Sequence, residues 1–171
     1  ILREPPRNTA APASRVMPGF PWLTASRVGA VTLLFAVLFF VQNVQHGRIF
    51  ADLGVSSPAT IGWVVTLASM GTVVGGWVYH RLGARSVNVL MAVSFLGYGI
   101  CYTGLGLSPG LGAGFVLDAL GQFGSGVVLP ALIAWTLSSY APEHRARGMG
   151  LWASCLFLGQ FVSPPVLTAI A

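Results

Sequence analysis

Asp118 is the only acidic residue set inside a long apolar stretch of this chain. Desolvation penalises a charged carboxylate, so burial favours its neutral form and lets it take up and release a proton. Phe115, Gln122 and Ser125 share its helical face. A second polar group, Gln42, Asn43, Gln45 and His46, lies in another apolar stretch. Phe35, Phe39, Gln42 and His46 there also fall on one face. Amides can hold a polar solute, and phenyl rings can hold its apolar or cationic part. The candidate proton and solute pathway is therefore Asp118, Gln122, Gln42, Asn43 and Phe39. A carboxylate inside a membrane is a functional candidate by default. The competing roles are a hydrated acid near a membrane surface and a hydrogen bond between neighbouring helices, and the same interhelical role is open to the amides.

Enzyme chemistry finds little footing. His46, His80 and His144 are scattered to the ends of apolar stretches, so no metal cluster or triad is expected. Gly124-Ser125-Gly126 lacks the first glycine of a nucleophile elbow, since position 123 is Phe. There is no glycine-rich phosphate loop ending in Lys-Ser/Thr. Cys101 and Cys155 both sit in apolar stretches and read as small buried hydrophobes. No cofactor and no catalytic residue is expected.

The elements that carry these residues must be membrane spans. Residues 28–45, 53–79, 86–117, 119–142 and 148–171 contain no charged side chain. About 20 apolar residues in a helix suffice to cross a bilayer core about 30 Å thick. The chain of 171 residues is 54% hydrophobic and 8% charged, where soluble domains carry about 25% charge. Its mean hydropathy is +0.76. The expected fold is an all-α membrane protein with spans at about 28–46, 59–79, 87–106, 111–138 and 148–170. A net charge of +5 does not indicate nucleic acid, because all nine basic residues are Arg and most flank the spans. Lipid is the expected surrounding partner.

Residues 1–27 carry five prolines and five charges and read as a Pro/Arg-rich linker. They lack the short apolar core of a signal peptide, and a start at Ile1 reads as an internal piece of a longer protein. Phe20, Trp22 and Leu23 are expected at the membrane interface. One side of the membrane receives eight arginines and the other only Arg48. By the positive-inside rule the linker and the loops 80–86 and 140–147 are cytoplasmic. Gln42 then lies about 21 Å up the first span and Asp118 about 10 Å down the fourth, which runs the other way. Both fall in the outer half of the core at similar depth, where they could face one cavity.

Close helix contacts in lipid need small residues. Gly71-x-x-x-Gly75 and Gly159-x-x-x-Ser163 supply them. They sit in a short internal echo, Met70-Gly71-Thr72-Val73-Val74-Gly75-Gly76 against Leu158-Gly159-Gln160-Phe161-Val162-Ser163-Pro164, three spans apart. Repeats of three helices are a habit of transporters.

Two loops carry a family resemblance. Gly76-Trp77-Val78-Tyr79-His80-Arg81-Leu82-Gly83-Ala84-Arg85 resembles the loop signature of the major facilitator superfamily through Gly76, Arg81, Gly83 and Arg85. His80 stands in place of its acid and Ala84 in place of one basic residue. Pro142-Glu143-His144-Arg145-Ala146-Arg147-Gly148, with Phe157 to Pro164, is similar to the loop into the eleventh helix of many bacterial members. The resemblance covers about residues 1–171. It implies helices seven to eleven of twelve, an incomplete six-helix bundle whose partners are the missing first half and twelfth helix. It implies an integral, multi-pass protein of the bacterial plasma membrane. Arg81, Arg85, Arg145 and Arg147, with Gly76 and Gly83, would form cytoplasmic gating loops or simply anchor topology. The first and fourth spans would line the cavity.

The function implied is proton-coupled secondary transport of a small organic solute by alternating access, with efflux of drugs or metabolites leading. Sugar transport in the same superfamily and a non-transporting scaffold are the alternatives. The arginine bias makes a direct prediction. In a cysteine-free background, Ser57→Cys should be labelled by an impermeant thiol reagent only from outside the cell. Labelling only from the cytoplasm would invert the topology.

Overall fold

The computed structural model describes residues 19–82, 86–107 and 110–170. They form five long helices: α1 (Trp22–Asp52), α2 (Pro58–Leu82), α3 (Val87–Gly106), α4 (Leu111–Ser139) and α5 (Arg145–Ile170). A single 3-10 turn, Pro142–His144, precedes α5. All five helices are long and apolar enough to cross a membrane, and there is no strand among the described residues. In lipid this is forced: backbone groups must find partners within their own segment.

α3 keeps the limits read from sequence, whereas α1, α2 and α5 run past theirs. α1 begins at Trp22 rather than Val28 and continues to Asp52 rather than His46. Charge ends an apolar run but does not end a helix. Pro21 stands just before α1, where a missing N–H costs nothing. The proline-dense stretch therefore stops there, and residues 22–27 are helical rather than linker. The remaining linker, 1–18, lies outside the described residues. At its other end α1 stops at Gly54, whose φ of 90° suits a residue without a side chain. Gly54 N–H donates to Ala51 O at 3.0 Å and Val55 N–H to Phe50 O at 3.0 Å. These two bonds close the helix end, with Phe50 and Val55 both buried.

α4 is the central helix. It packs extensively on α2 and on α3, while α1 pairs mainly with α5 and touches α4 more lightly. The most apolar window of α4 is the most buried of the five, and that of α2 the least. Glycines set the closest crossing. A methyl group on Gly75 would fall on the carbonyl oxygen of Phe123, and one on Gly126 would fall on that of Thr72. Gly71 lies in the same way against Ala119. Gly159 of α5 backs onto Ala36 of α1, and Ser163 is buried one turn on, its hydroxyl donating to Gln160 O at 3.1 Å. The two segments of the sequence echo thus occupy comparable helix crossings. Phe35, Tyr98, Val128 and Leu132 form the main apolar core between α1, α3 and α4.

This geometry separates two kinds of glycine. Gly75→Ala should lower the thermal stability of the purified protein, by about 1–3 kcal/mol for forced overpacking. Gly99 has open space where a methyl group would go. Gly99→Ala should be neutral or stabilising by about 0.5–1 kcal/mol. Equal effects at the two positions would rule out the crossing as the constraint.

Candidate functional site

The polar side chains meet where α1 crosses α4. Gln42 and His46 are one turn apart on α1 and face Asp118 of α4. Gln42 Nε2 donates to Asp118 Oδ1 at 2.7 Å and to the Asp118 backbone carbonyl at 2.8 Å. His46 Nε2 lies 3.0 Å from the same Oδ1. Gln42 and Asp118 are fully enclosed, and His46 is 5% exposed. The depths inferred from sequence for Gln42 and Asp118 correspond to a direct contact.

One turn along α4, Gln122 extends the network. Its Nε2 lies 3.4 Å from His46 Nε2 and donates to Asn43 Oδ1 at 3.4 Å. Thr72 of α2 donates to Gln122 Oε1 at 2.9 Å. This reach is possible because Gly71 and Gly75 let α2 approach the backbone of α4. Asn43 sits at the exposed edge and donates to Phe39 O at 2.8 Å. Phe39 is half-buried and stands apart from the carboxylate. Its ring packs on Phe35 at 5.6 Å and on Phe40 at 5.0 Å.

Within this cluster Asp118 Oδ2 and Gln42 Oε1 are buried and have no hydrogen-bond partner. A side-chain carbon on Gly121 would stand 2.7 Å from both amide atoms of Gln42 and 3.0 Å from Cys101 Sγ. Gly121 therefore makes the room that Gln42 occupies. Below Gln122, Ser125 pairs with the Tyr98 hydroxyl of α3. Larger clefts lie elsewhere. One of about 250 Å³, between α1 and α3, is lined by Gln45, Arg48 and Tyr102.

Arg81, Arg145 and Arg147 lie at the opposite end of the helices. Arg145 Nε donates to Leu137 O at 3.1 Å and Tyr140 O at 3.4 Å. It thereby satisfies carbonyls at the C-terminus of α4, where positive charge is favoured. The Arg147 guanidinium lies 5.7 Å from the Phe20 ring at the start of α1. That of Arg81 lies 4.8 Å from the Trp77 ring. A methyl group on Gly76 would stand 3.9 Å from Gly126 O, an ordinary contact. Gly83 and Arg85 lie outside the described residues.

His46 shares the helical face of Phe35, Phe39 and Gln42 but is not among the pathway residues expected from sequence. The signal was the i, i+4 spacing from Gln42. Thr72 had no such signal, since only the crossing brings it to Gln122. No cluster of metal-ligating side chains occurs among the described residues.

The family profile described as Major Facilitator Superfamily matches residues 28–171. The chain belongs to the major facilitator superfamily. A curated protein of Bacillus subtilis (strain 168), described as the uncharacterized MFS-type transporter YhcA, is similar: it is 25% identical over 127 residues, 71% of this chain and 23% of that protein. The matched stretch thus spans less than a quarter of that relative. No solved structure matches. These five helices are therefore part of an integral, multi-pass membrane protein of a transporter superfamily.

The packing of Gln42 against Gly121 can be tested by a double-mutant cycle. Gly121→Ala should displace the amide and destabilise the protein. In a Gln42→Ala background the same change should cost much less, a coupling of about 0.5–3 kcal/mol in thermal or denaturant unfolding. Additive effects would contradict the contact.

Proposed function

We propose that the intact protein is a secondary active transporter that exports a small organic solute in exchange for protons, by alternating access. The observation that carries this reading is the Asp118 carboxylate, enclosed between α1 and α4 at 0% exposure. Charge in such a place is costly, on the order of several kcal/mol per ion. Proton uptake and release at Asp118 therefore changes the stability of the surrounding packing. Alternating access needs such a dependence of conformation on what is bound.

The solute class follows from the chemistry around the acid. Gln42, Gln122 and Asn43 offer amide groups beside the acid, and the half-buried Phe39 offers an aromatic ring elsewhere on the same helix. Such a lining suits an amphipathic or cationic solute, which a proton on Asp118 would displace. The arginine bias places the linker and the loops that carry Arg81, Arg145 and Arg147 in the cytoplasm. In the alternating cycle Arg145 holds the carboxyl end of α4 at the cytoplasmic side through Leu137 O.

The test is transport by the intact protein in inverted vesicles. A fluorescent lipophilic cation should accumulate when a pH gradient is imposed and should leave when the gradient is collapsed. Asp118→Asn keeps size and hydrogen bonding but cannot ionise. It should express at the wild-type level while gradient-driven accumulation falls to that of empty vesicles. Wild-type accumulation by Asp118→Asn would remove Asp118 from coupling. Sugar accumulation in place of the cation would move the protein to the sugar-transporting alternative.

A further inference from the structure

The cleft of about 250 Å³ between α1 and α3 is separate from the enclosed cluster at Asp118. A second opening, of about 260 Å³, shares Ile49, Asp52, Leu105 and Gly106 with it, so the two form one groove. The backbones of α1 and α3 scarcely touch. Tyr102 of α3 spans the gap and donates its hydroxyl to Leu38 O of α1. Gly106 keeps the mouth wide, since a methyl group there would meet nothing within 4 Å.

Four α1 side chains line this groove at helical spacing: Val41, Gln45, Arg48 and Asp52. Spacings of four, three and four residues put them on one face. From Val41 to Asp52 the helix rises about 16 Å, roughly half of a bilayer core about 30 Å thick. The groove is thus about as deep as one leaflet. Its chemistry changes in order along that depth. Val41 and the ring of Tyr102 are apolar. Gln45 sets an amide about 6 Å above Val41, and Arg48 a cation about 4.5 Å above that. Asp52 sets an anion about 6 Å higher, in the last turn of α1. A phospholipid with an amine headgroup has the matching order from core to water: acyl chain, ester carbonyl, phosphate, ammonium.

Both charges are available to such a ligand. Arg48 Nε and Asp52 Oδ2 stand 4.0 Å apart, with side chains 60% and 75% exposed. An exposed pair at that distance contributes little, so exchanging it for lipid partners sacrifices little. A guanidinium presents paired N–H donors that match phosphate. Asp52 and the carbonyl end of α1 both favour a cation. A lipid without an ammonium group would satisfy Arg48 but set its negative charge beside Asp52. We propose that the groove binds one aminophospholipid, with its phosphate on Arg48, its ammonium on Asp52 and one acyl chain along Val41 and Tyr102. By the arginine bias the lipid belongs to the outer leaflet. It fills the gap between α1 and α3 and joins them where their own side chains do not. The site stands apart from the enclosed carboxylate, and its test needs no transport.

The intact protein in detergent is incubated with phosphatidylethanolamine, phosphatidylglycerol or phosphatidylcholine of identical chains, and native mass spectrometry measures the lipid retained. Phosphatidylethanolamine should be retained over both others. The glycerol headgroup has no cation, and the choline group has no N–H to give Asp52. Arg48→Gln should lower phosphatidylethanolamine retention about fivefold, the worth of one basic residue at a lipid surface. Asp52→Asn should raise phosphatidylglycerol to the level of phosphatidylethanolamine. Gly106→Leu, which has open space for its side chain, should narrow the mouth and lower retention of all three. Arg27→Gln, exposed near the other end of α1, should change nothing. Equal retention of the three lipids by the wild type overturns the proposal, as does an equal loss in Arg27→Gln and Arg48→Gln. Retention of no lipid also overturns it and leaves the groove to another segment of the intact protein. Displacement by glycerophosphoethanolamine at the lipid's own concentration would assign the site to a soluble headgroup and overturn the lipid.

Discussion

Backbone meets backbone where α2 crosses α4, and much of the interior follows from that contact. Gly71 and Gly75 on one helix and Gly126 on the other leave no room for a side chain between them. In a bilayer, apolar side chains gain nothing by leaving lipid for protein, so close packing and polar contacts must hold the helices. The crossing also fixes rotation. With Gly75 against Phe123, Thr72 is turned onto Gln122, and Gln122 is turned toward His46. A steric constraint on one face of α4 thereby sets the polar geometry on another.

The second constraint is polar satisfaction. Asp118 is fully buried, and the bonds it makes come from the helices. Gln42 provides two and His46 a third. All three come from α1, a helix that otherwise leans on α5. The carboxylate is thus the main polar link between two pairs of helices that pack separately, α2 with α4 and α1 with α5.

At the arginine-rich end the physics is different. Arg145 satisfies carbonyls of α4, Arg147 of α5 lies near the Phe20 ring just before α1, and Arg81 lies near the Trp77 ring of its own helix. The Arg145 contacts span the turn between α4 and α5. The chemistry of the enclosed cluster and the anchoring of the helix ends therefore occupy separate levels of the bundle.

Sequence alone determined the number of helices, their all-α class and the identity of most polar groups in the cluster. The reason is that lipid removes alternatives: a charge-free stretch of this length has one stable backbone form. It also placed Gln42 and Asp118 at one depth, since the rise per residue is fixed. Helix limits were less legible, because Trp22–Arg27 and Gly47–Asp52 are polar enough to end a span and still remain helical. Tertiary structure alone decided that Gln42 bonds Asp118 directly, that Thr72 reaches Gln122, and that Phe39 stands aside. It also brought His46 onto the carboxylate and left Asp118 Oδ2 and Gln42 Oε1 without partners. Those facts depend on helix rotation, and rotation is set by where glycines let two backbones touch, which no single helix encodes.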